Sequence, residues 1–332
     1  MKYTKLFCLL VLVSSCAQQD DIDQLTIYTS RQPQLIEPLL EQYKALTGID
    51  VALLSGNATQ LMERIIVEGD ATEADIFMTV DAGVLWQAGE KGIFENIESE
   101  ILSQNIPQHL RDADGKWFGL SKRARTIVYS SDAVNSDDLS SYEDLALPKW
   151  NNKLCLRTST KVYNRSLIAS MIDAQGLDHS KMVVQGWVNN LATEVFSSDT
   201  QVLKAVSAGQ CAVTIVNTYY LARLADDPQY SNLKLYWANQ KSRGTHVNIS
   251  GAGVVKSSKN KDAATKLLEW LSSEEAQESY ADANKEFPVK SGIQVGETLK
   301  GWGEFKEDLI SVEKLGSLQK EAVLLAQQAG YK

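Results

Sequence analysis

Histidine is scarce in this sequence. Only His109, His179 and His246 occur in 332 residues, and none sits at nucleophile-elbow or zinc-ligand spacing. A nucleophile with an oriented base therefore has no candidate pattern, and the chain reads as a non-enzyme. Positive charge is also in short supply: 33 lysines and arginines face 42 acids, a formal net charge of −9. Nucleic acid is not expected as a partner, because it needs a basic face to displace its counterions. No apolar run reaches the roughly 20 residues of a membrane-spanning helix, which excludes a polytopic membrane protein. What is present is ordinary: 44% hydrophobic and 23% charged residues, the proportions of a globular chain. The length predicts roughly two domains, each able to bury a core.

The first residues stand apart. Lys2 and Lys5 precede an apolar stretch at 6–13, followed by Val13-Ser14-Ser15-Cys16. This pattern has the layout of an export signal and resembles the lipobox of bacterial lipoproteins, in which the cysteine is acylated after cleavage. Residues 1–15 are thus expected to be a lipoprotein signal peptide, Cys16 the lipidation site, and 16–24 a polar tether. An ordinary secretory signal is the alternative, and either one exports the chain. Ala17 rather than an acid follows Cys16, so no inner-membrane retention signal is evident. Cys8 would leave with the signal, and Cys155 and Cys211 remain. In an oxidising compartment two thiols are a natural disulfide pair, with two buried free thiols as the other reading.

Strands and helices alternate from there. A β-rich run at 25–30 precedes a helical period at 33–47, which has Pro33 in its first turn and Gly48 as its stop. A strand at 49–54, a helix at 58–68, a strand at 75–79 and a helix at 81–90 complete a βαβαβ unit. The alternation restarts with a strand at 154–157 and a helix from about Tyr163 to Ala174. A strand at 212–216 and a helix at 219–225 follow. Two α/β units predict two lobes with a cleft.

In open parallel sheets, ligands sit beyond the carboxyl ends of the strands. The residues following each predicted strand are Arg31 and Gln32, Gly56 and Asn57, and Val80 and Asp81. In the second unit they are Thr158, Ser159, Thr160 and Tyr163, then Asn217, Thr218, Tyr219 and Tyr220. Three tyrosines thus fall on one cleft edge. A phenol titrates near 10, so a cluster has chemical use only with a strong Lewis acid that deprotonates it, and Fe(III) is one. Three phenolates would neutralise it and leave open coordination positions for a small anion. An arginine of Lys122-Arg123-Ala124-Arg125, just before a strand at 126–129, could grip that anion bidentately. The hydroxyls and amides of Thr158, Ser159 and Thr160 would form a second cradle. Each element also has a packing reading. Adjacent helical residues diverge by about 100°, so Tyr219 and Tyr220 could straddle a core boundary, and the basic run could be a solvated strand edge.

Several stretches resemble the periplasmic ferric-ion-binding proteins of bacterial iron ABC transporters. They are Asn217-Thr218-Tyr219-Tyr220, Val162-Tyr163-Asn164-Arg165-Ser166-Leu167 and Thr26-Ile27-Tyr28-Thr29-Ser30-Arg31-Gln32-Pro33. Pro148-Lys149-Trp150, Ser250-Gly251-Ala252-Gly253 and Gln328-Ala329-Gly330-Tyr331-Lys332 are similar too, in the same order along the mature chain. The resemblance implies an α/β, two-lobed type II periplasmic binding protein fold, each lobe a mixed, mostly parallel sheet flanked by helices. Crossover strands near 125 and 250 would join the lobes. Residues 25–125 with 250–300 would form the N-lobe, and 126–249 with 301–332 the C-lobe.

Carried over residue by residue, Tyr219 and Tyr220 match the family's tyrosine pair and Tyr163 the third tyrosine of members that bind with three. Members that add a first-lobe histidine, or a histidine and a tyrosine, have them where this chain has Gln32 and Pro33, and members with an acid after the third strand have it at Val80. The resemblance therefore implies that one lobe supplies every protein ligand, with an exogenous anion such as carbonate completing the shell. Arg125 is the first choice to hold that anion and Arg31 the second, with Thr158 and Ser159 contributing. Gln32, Asn57, Asp81 and Asn217 are expected at the cleft. The implied partners are ferric ion and an inner-membrane ABC permease with its ATPase. The implied setting is the periplasm of a Gram-negative bacterium, where the monomeric chain touches the membrane only through its lipid. The alternative function is a binding protein of the same fold for an organic anion or a polyamine.

Overall fold

The computed structural model describes residues 24–332; the expected signal, Cys16 and the tether up to residue 23 lie outside the described residues. Eight strands are present among them: β1 (Gln24–Thr29), β2 (Asp50–Ser55), β3 (Ile76–Thr79), β4 (Phe118–Ser130), β5 (Leu154–Cys155), β6 (Val213–Asn217), β7 (Leu233–Tyr236) and β8 (Val247–Val254). The helices of the first half are α1 (Glu37–Thr47), α2 (Ala58–Glu68), α3 (Ala82–Glu90) and α4 (Glu100–Asn105). Then come α5 (Val162–Gln175), α6 (Leu177–Asn189), α7 (Asp199–Ser207) and α8 (Thr218–Ala222). The chain finishes with α9 (Lys261–Leu271), α10 (Glu274–Asn284), α11 (Glu297–Gly301), α12 (Val312–Ser317) and α13 (Gln319–Gln328). None of these helices is long and apolar enough to cross a membrane.

The strands form one sheet in the order β2-β1-β3-β8-β4-β6-β5, with β7 also on β4. β1 pairs in parallel with both β2 and β3, the expected βαβαβ unit. β8 runs antiparallel to β3 and to the first half of β4, whose second half pairs antiparallel with β6 and β7. β5 joins β6 in parallel. β8 and β4 thus connect the β1-β2-β3 part of the sheet to the β5-β6-β7 part. β8 lies so close to its neighbours that side chains are excluded. A Cβ at Gly251 would lie 2.5 Å from the Phe118 carbonyl oxygen, and one at Gly253 would lie 2.3 Å from that of Lys116.

Two local expectations are corrected. The helix expected from Pro33 begins at Glu37, after a 3₁₀ turn at Pro33–Leu35. Pro38 has no amide hydrogen and would clash five residues inside a continuous helix, but it fits in the first turn of a helix restarted at Glu37. The strand expected at 126–129 is 13 residues long and absorbs Lys122, Arg123 and Arg125. Burial at a lobe junction overrides the low strand propensity of these cations.

Leu25, Ile27, Ile76 and Phe77 are fully buried under α1, α2 and α3, and Leu167, Ile168 and Met171 of α5 are buried in the other half. Helix α12 lies against both α3 and α5, and Gly316 is needed there because a Cβ would sit 2.3 Å from Trp86 Cβ. Cys155 and Cys211 are joined as a disulfide, Cα to Cα 5.8 Å, tying β5 to the turn before β6.

Candidate metal-binding site

β6 ends at Asn217 and α8 begins at once, so Tyr219 and Tyr220 project from the carboxyl end of a central strand. α5 starts at Val162 and places Tyr163 in its first turn. All three tyrosines line one cavity of about 300 Å³, together with Arg31, Gln32, Val80, Arg123, Arg157, Lys161, Arg223, Ser250 and Glu286. Tyr163 and Tyr219 are buried, and Tyr220 is half-buried. Although neighbours on a helix diverge, the Tyr219 and Tyr220 ring centroids lie 4.3 Å apart at 37°.

Guanidinium groups surround the rings. Arg223 Cζ lies 5.1 Å from the Tyr219 centroid and 5.9 Å from that of Tyr220. Arg123 Cζ lies 5.4 Å and Lys161 Nζ 5.3 Å from the Tyr163 centroid. Burial pushes the Tyr163 hydroxyl above its ordinary value, against the lowering effect of Arg123. Tyr219 is pushed well above it by burial and by the nearness of Tyr163 and Tyr220. Without a metal, these shifts favour the neutral form of Tyr163 and Tyr219. A hard, highly charged cation would reverse that state, since phenolate oxygens are its preferred donors. Among the described residues no group of three or more His, Cys, Asp or Glu side chains could hold a metal ion.

The arginines are tied to the protein around them by hydrogen bonds. Arg31 Nη1 donates to Ser250 Oγ at 2.8 Å and Nη2 to Glu286 Oε2 at 3.0 Å. Arg123 Nη1 reaches the same Ser250 Oγ at 2.9 Å, and Nη2 donates to the carbonyls of Val80 and Ile249. The Nε atoms of Arg31, Arg123 and Arg157 are buried without a protein acceptor. Burial opposes ionisation of Glu286, but Arg31, Arg123 and the Ser121 hydroxyl outweigh it and hold the carboxyl below its usual range. Burial and the Arg157 charge lower the pKa of Lys161.

Arg125 is a correction. All five of its donors are taken, by Asn164 Oδ1, Asp199 Oδ1, Asn217 Oδ1 and the Ile215 carbonyl, and it lies outside the cavity at 1% exposure. It braces the second lobe, and Arg123, two residues earlier, faces the phenols. Ser159 is likewise spent, its amide donating to the Lys332 carbonyl and its hydroxyl to that of Tyr331. The Thr158 amide donates to the Phe196 carbonyl, and its hydroxyl meets that of Thr160, so no cradle forms there.

Gln32 lines the cavity from the first lobe. Asn57 does not; it caps α2, accepting from the Thr59 and Gln60 amides. Asp81 caps α3 through the Gly83 amide, and its other oxygen accepts from Ser166 Oγ and Asn248 Nδ2, both at 3.0 Å. It therefore fastens α3 to α5 rather than facing the cavity. Asn217 accepts from Arg125 and donates to the Tyr219 hydroxyl at 3.3 Å, orienting that phenol. His246, near the second crossover, is buried outside the cavity; burial and the charges of Arg125, Arg243 and Arg123 lower its pKa to about 3.

The sequence reading passed over Arg157, Lys161, Arg223, Ser250 and Glu286 as cavity residues. Arg223 lies one turn beyond Tyr219 on the α8 path, a spacing that could have flagged it. Glu286 meets Arg31 across 255 positions, and nothing local marks it.

Residues 71–305 match the family of bacterial extracellular solute-binding proteins. The chain belongs to this family. Iron uptake protein A1 of Synechocystis is 41% identical over 336 residues, covering 97% of this solute-binding protein and 93% of the relative. The Trichodesmium protein IdiA (FutA), solved in complex with iron and citrate ligands, superposes with a TM-score of 0.89 at 42% identity, covering 93% of this chain and all of that one. The ferric binding protein of Campylobacter jejuni superposes with a TM-score of 0.86 at 35% identity, covering 93% of this chain and 100% of its own. The resemblance drawn from the tyrosine and Ser-Arg stretches therefore holds, and the fold of this solute-binding protein is the two-lobed α/β type II architecture that it implied.

Proposed function

We propose that this solute-binding protein captures ferric ion in the periplasm on Tyr163, Tyr219 and Tyr220 and delivers it to an inner-membrane ABC permease powered by an ATPase. It acts as a carrier and not as an enzyme. The observation that carries the reading is the convergence of three phenols on one cavity ringed by cations. Its relatives named for iron uptake and ferric binding support the choice of cargo. They count against an organic anion or a polyamine as the alternative cargo.

In this reading each phenol gives up its proton as iron arrives, and Arg123 and Arg223 stabilise the phenolates that form. Arg31, Arg123 and Arg157, which line the cavity, hold a synergistic anion such as carbonate. The first lobe presents Gln32 and Val80 and contributes no phenolate. Division of the lobes at residues 125–126, 249–250 and 300–301, lipidation at Cys16, and a monomeric chain held to a Gram-negative membrane by its lipid alone belong to the same proposal.

The test is a visible spectrum of the purified protein with ferric salt and bicarbonate. A broad phenolate-to-iron band is expected, lost or weakened in Tyr219→Phe and Tyr220→Phe. A colourless wild type overturns the assignment.

A further inference from the structure

Two of the cavity's arginines meet at one hydroxyl. Ser250 Oγ accepts from Arg31 Nη1 at 2.8 Å and from Arg123 Nη1 at 2.9 Å, and all three residues line the cavity. Two guanidiniums held at a single oxygen repel each other, and Glu286 offsets that repulsion. Its Oε2 lies 3.0 Å from Arg31 Nη2 and also accepts from the Ser121 hydroxyl.

The sheet is adjusted to bring these side chains together. β4 and β8 pair Phe118 with Ala252, Gly119 with Gly251 and then Ser121 with Ser250, so Leu120 is an extra residue, a bulge in β4. Side chains alternate along a strand, and residues opposite one another share a face. Without the bulge Leu120 would stand opposite Ser250, and Ser121 and Arg123 would turn to the other face. The bulge therefore sets Ser121, Arg123 and Ser250 on one face, where Glu286 and Arg31 complete the cluster.

The chemistry of the cluster follows from its donors. A serine oxygen has two acceptor positions and one proton to give. With guanidinium N–H groups in both positions, Ser250 can offer a further partner only that proton. Guanidiniums have donors and no acceptor, and two planar forks fixed relative to each other suit an oxyanion with oxygens enough for both, such as carbonate or phosphate. Arg157 also lines the cavity, but it is tied to Asp199 at 2.9 Å and so is placed independently of Ser250.

We infer that Ser250 is the positioning residue of the oxyanion site: it fixes the Arg31 and Arg123 guanidiniums relative to each other so that one small oxyanion bridges both. The inference rests on the proposed function for the anion's place in this cavity, and it adds the residue that sets the anion's fit.

The test titrates the metal-free full chain with inorganic phosphate, read by calorimetry and by NMR of the arginine Nε–H groups, in the wild type and in Ser250→Ala. In the wild type the Arg31 and Arg123 signals are expected to shift together along one binding curve. Ser250→Ala should weaken phosphate binding about tenfold, the scale of one hydrogen bond to a charged group, and the two signals should no longer move in step. With ferric salt, the variant should need about tenfold more bicarbonate to reach half of its colour yet keep the wild-type band at saturation, which a general loss of structure would not give. Equal phosphate affinity in the wild type and the variant overturns the inference. So does a wild-type titration that shifts neither arginine or only one, and that outcome needs no variant to fold. A wild type that stays colourless with iron, while Ser250→Ala weakens phosphate binding, removes the iron assignment and leaves the role of Ser250 standing. An iron-coloured protein whose phosphate affinity ignores the substitution does the reverse.

Discussion

The sharpest prediction concerns protons. A phenol ordinarily titrates near 10, and burial together with the neighbouring phenols raises Tyr163 and Tyr219 further. Each tyrosine that binds iron as phenolate must therefore release one proton throughout pH 5–8, below the titration of the phenols. Affinity follows with a slope of one logarithmic unit per pH unit for each phenolate, and it falls as pH falls. Three phenolates make the loss about a thousandfold per pH unit, or about 4 kcal/mol. The assay is competition with nitrilotriacetate at fixed bicarbonate, read by the visible band at pH 6, 7 and 8. Protonation of the chelator, iron hydrolysis and the anion all add their own pH dependence. These contributions are shared by the wild type and Tyr219→Phe and cancel in the difference between their slopes. The expected difference is one unit, and the same holds for Tyr163→Phe. Identical slopes in the wild type and a variant would show that the deleted hydroxyl gives up no proton to iron, which refutes the tyrosinate assignment for that residue.

Three further outcomes follow from the same network. Asp199 is fully buried and pairs with Arg125 at 3.2 Å and Arg157 at 2.9 Å, so Asp199→Asn strands two buried guanidiniums. It should cost about 3–5 kcal/mol, measured by urea unfolding. Arg123→Ala should fold but lose most of the bicarbonate dependence of iron binding, whereas Arg125→Ala should lose stability first; equal bicarbonate dependence in Arg123→Ala and the wild type would remove Arg123 from the anion site. Reducing the Cys155–Cys211 bond, which closes a loop with a sequence separation of 56, should lower stability by about 4 kcal/mol with little effect on the colour of the folded protein.

The elements and the tyrosine trio were legible because they follow local rules: helical and strand periods, and the carboxyl ends of strands. The same rule marked Asn57 and Asp81, yet Asn57 spends its oxygen on helix amides, and Asp81 divides its two between a helix amide and the side chains of Ser166 and Asn248. A residue between a strand and a helix is as suited to capping as to binding, and sequence does not separate the two. Arg123 and Arg125 show a different limit. Two positions apart on β4, they share a face and differ by about 7 Å along the strand. That offset alone decides whether a guanidinium meets Asp199 and Asn164 or the phenols. It depends on where α5 and α7 pack, which neither arginine encodes. Glu286 lies further still from any local rule, because its partner Arg31 is brought to it by the sheet.

The charge of the cavity constrains how the site can work. Arg31, Arg123, Arg157, Lys161 and Arg223 line it against a single carboxylate, Glu286, which is already bound to Arg31. With its phenols protonated, such a cavity is electropositive and repels a trivalent cation. On the proposed reading, iron entry must therefore coincide with the two events that reverse the field, loss of the phenolic protons and arrival of an anion. On the same reading the anion arrives among Arg31, Arg123 and Arg157, which line the cavity. Iron and anion then stabilise each other's binding, and by thermodynamic reciprocity each must raise the affinity for the other by the same factor. A protonated site gives up both together, so acidification or removal of the anion becomes a route to release that needs no movement of the ligand-bearing lobe.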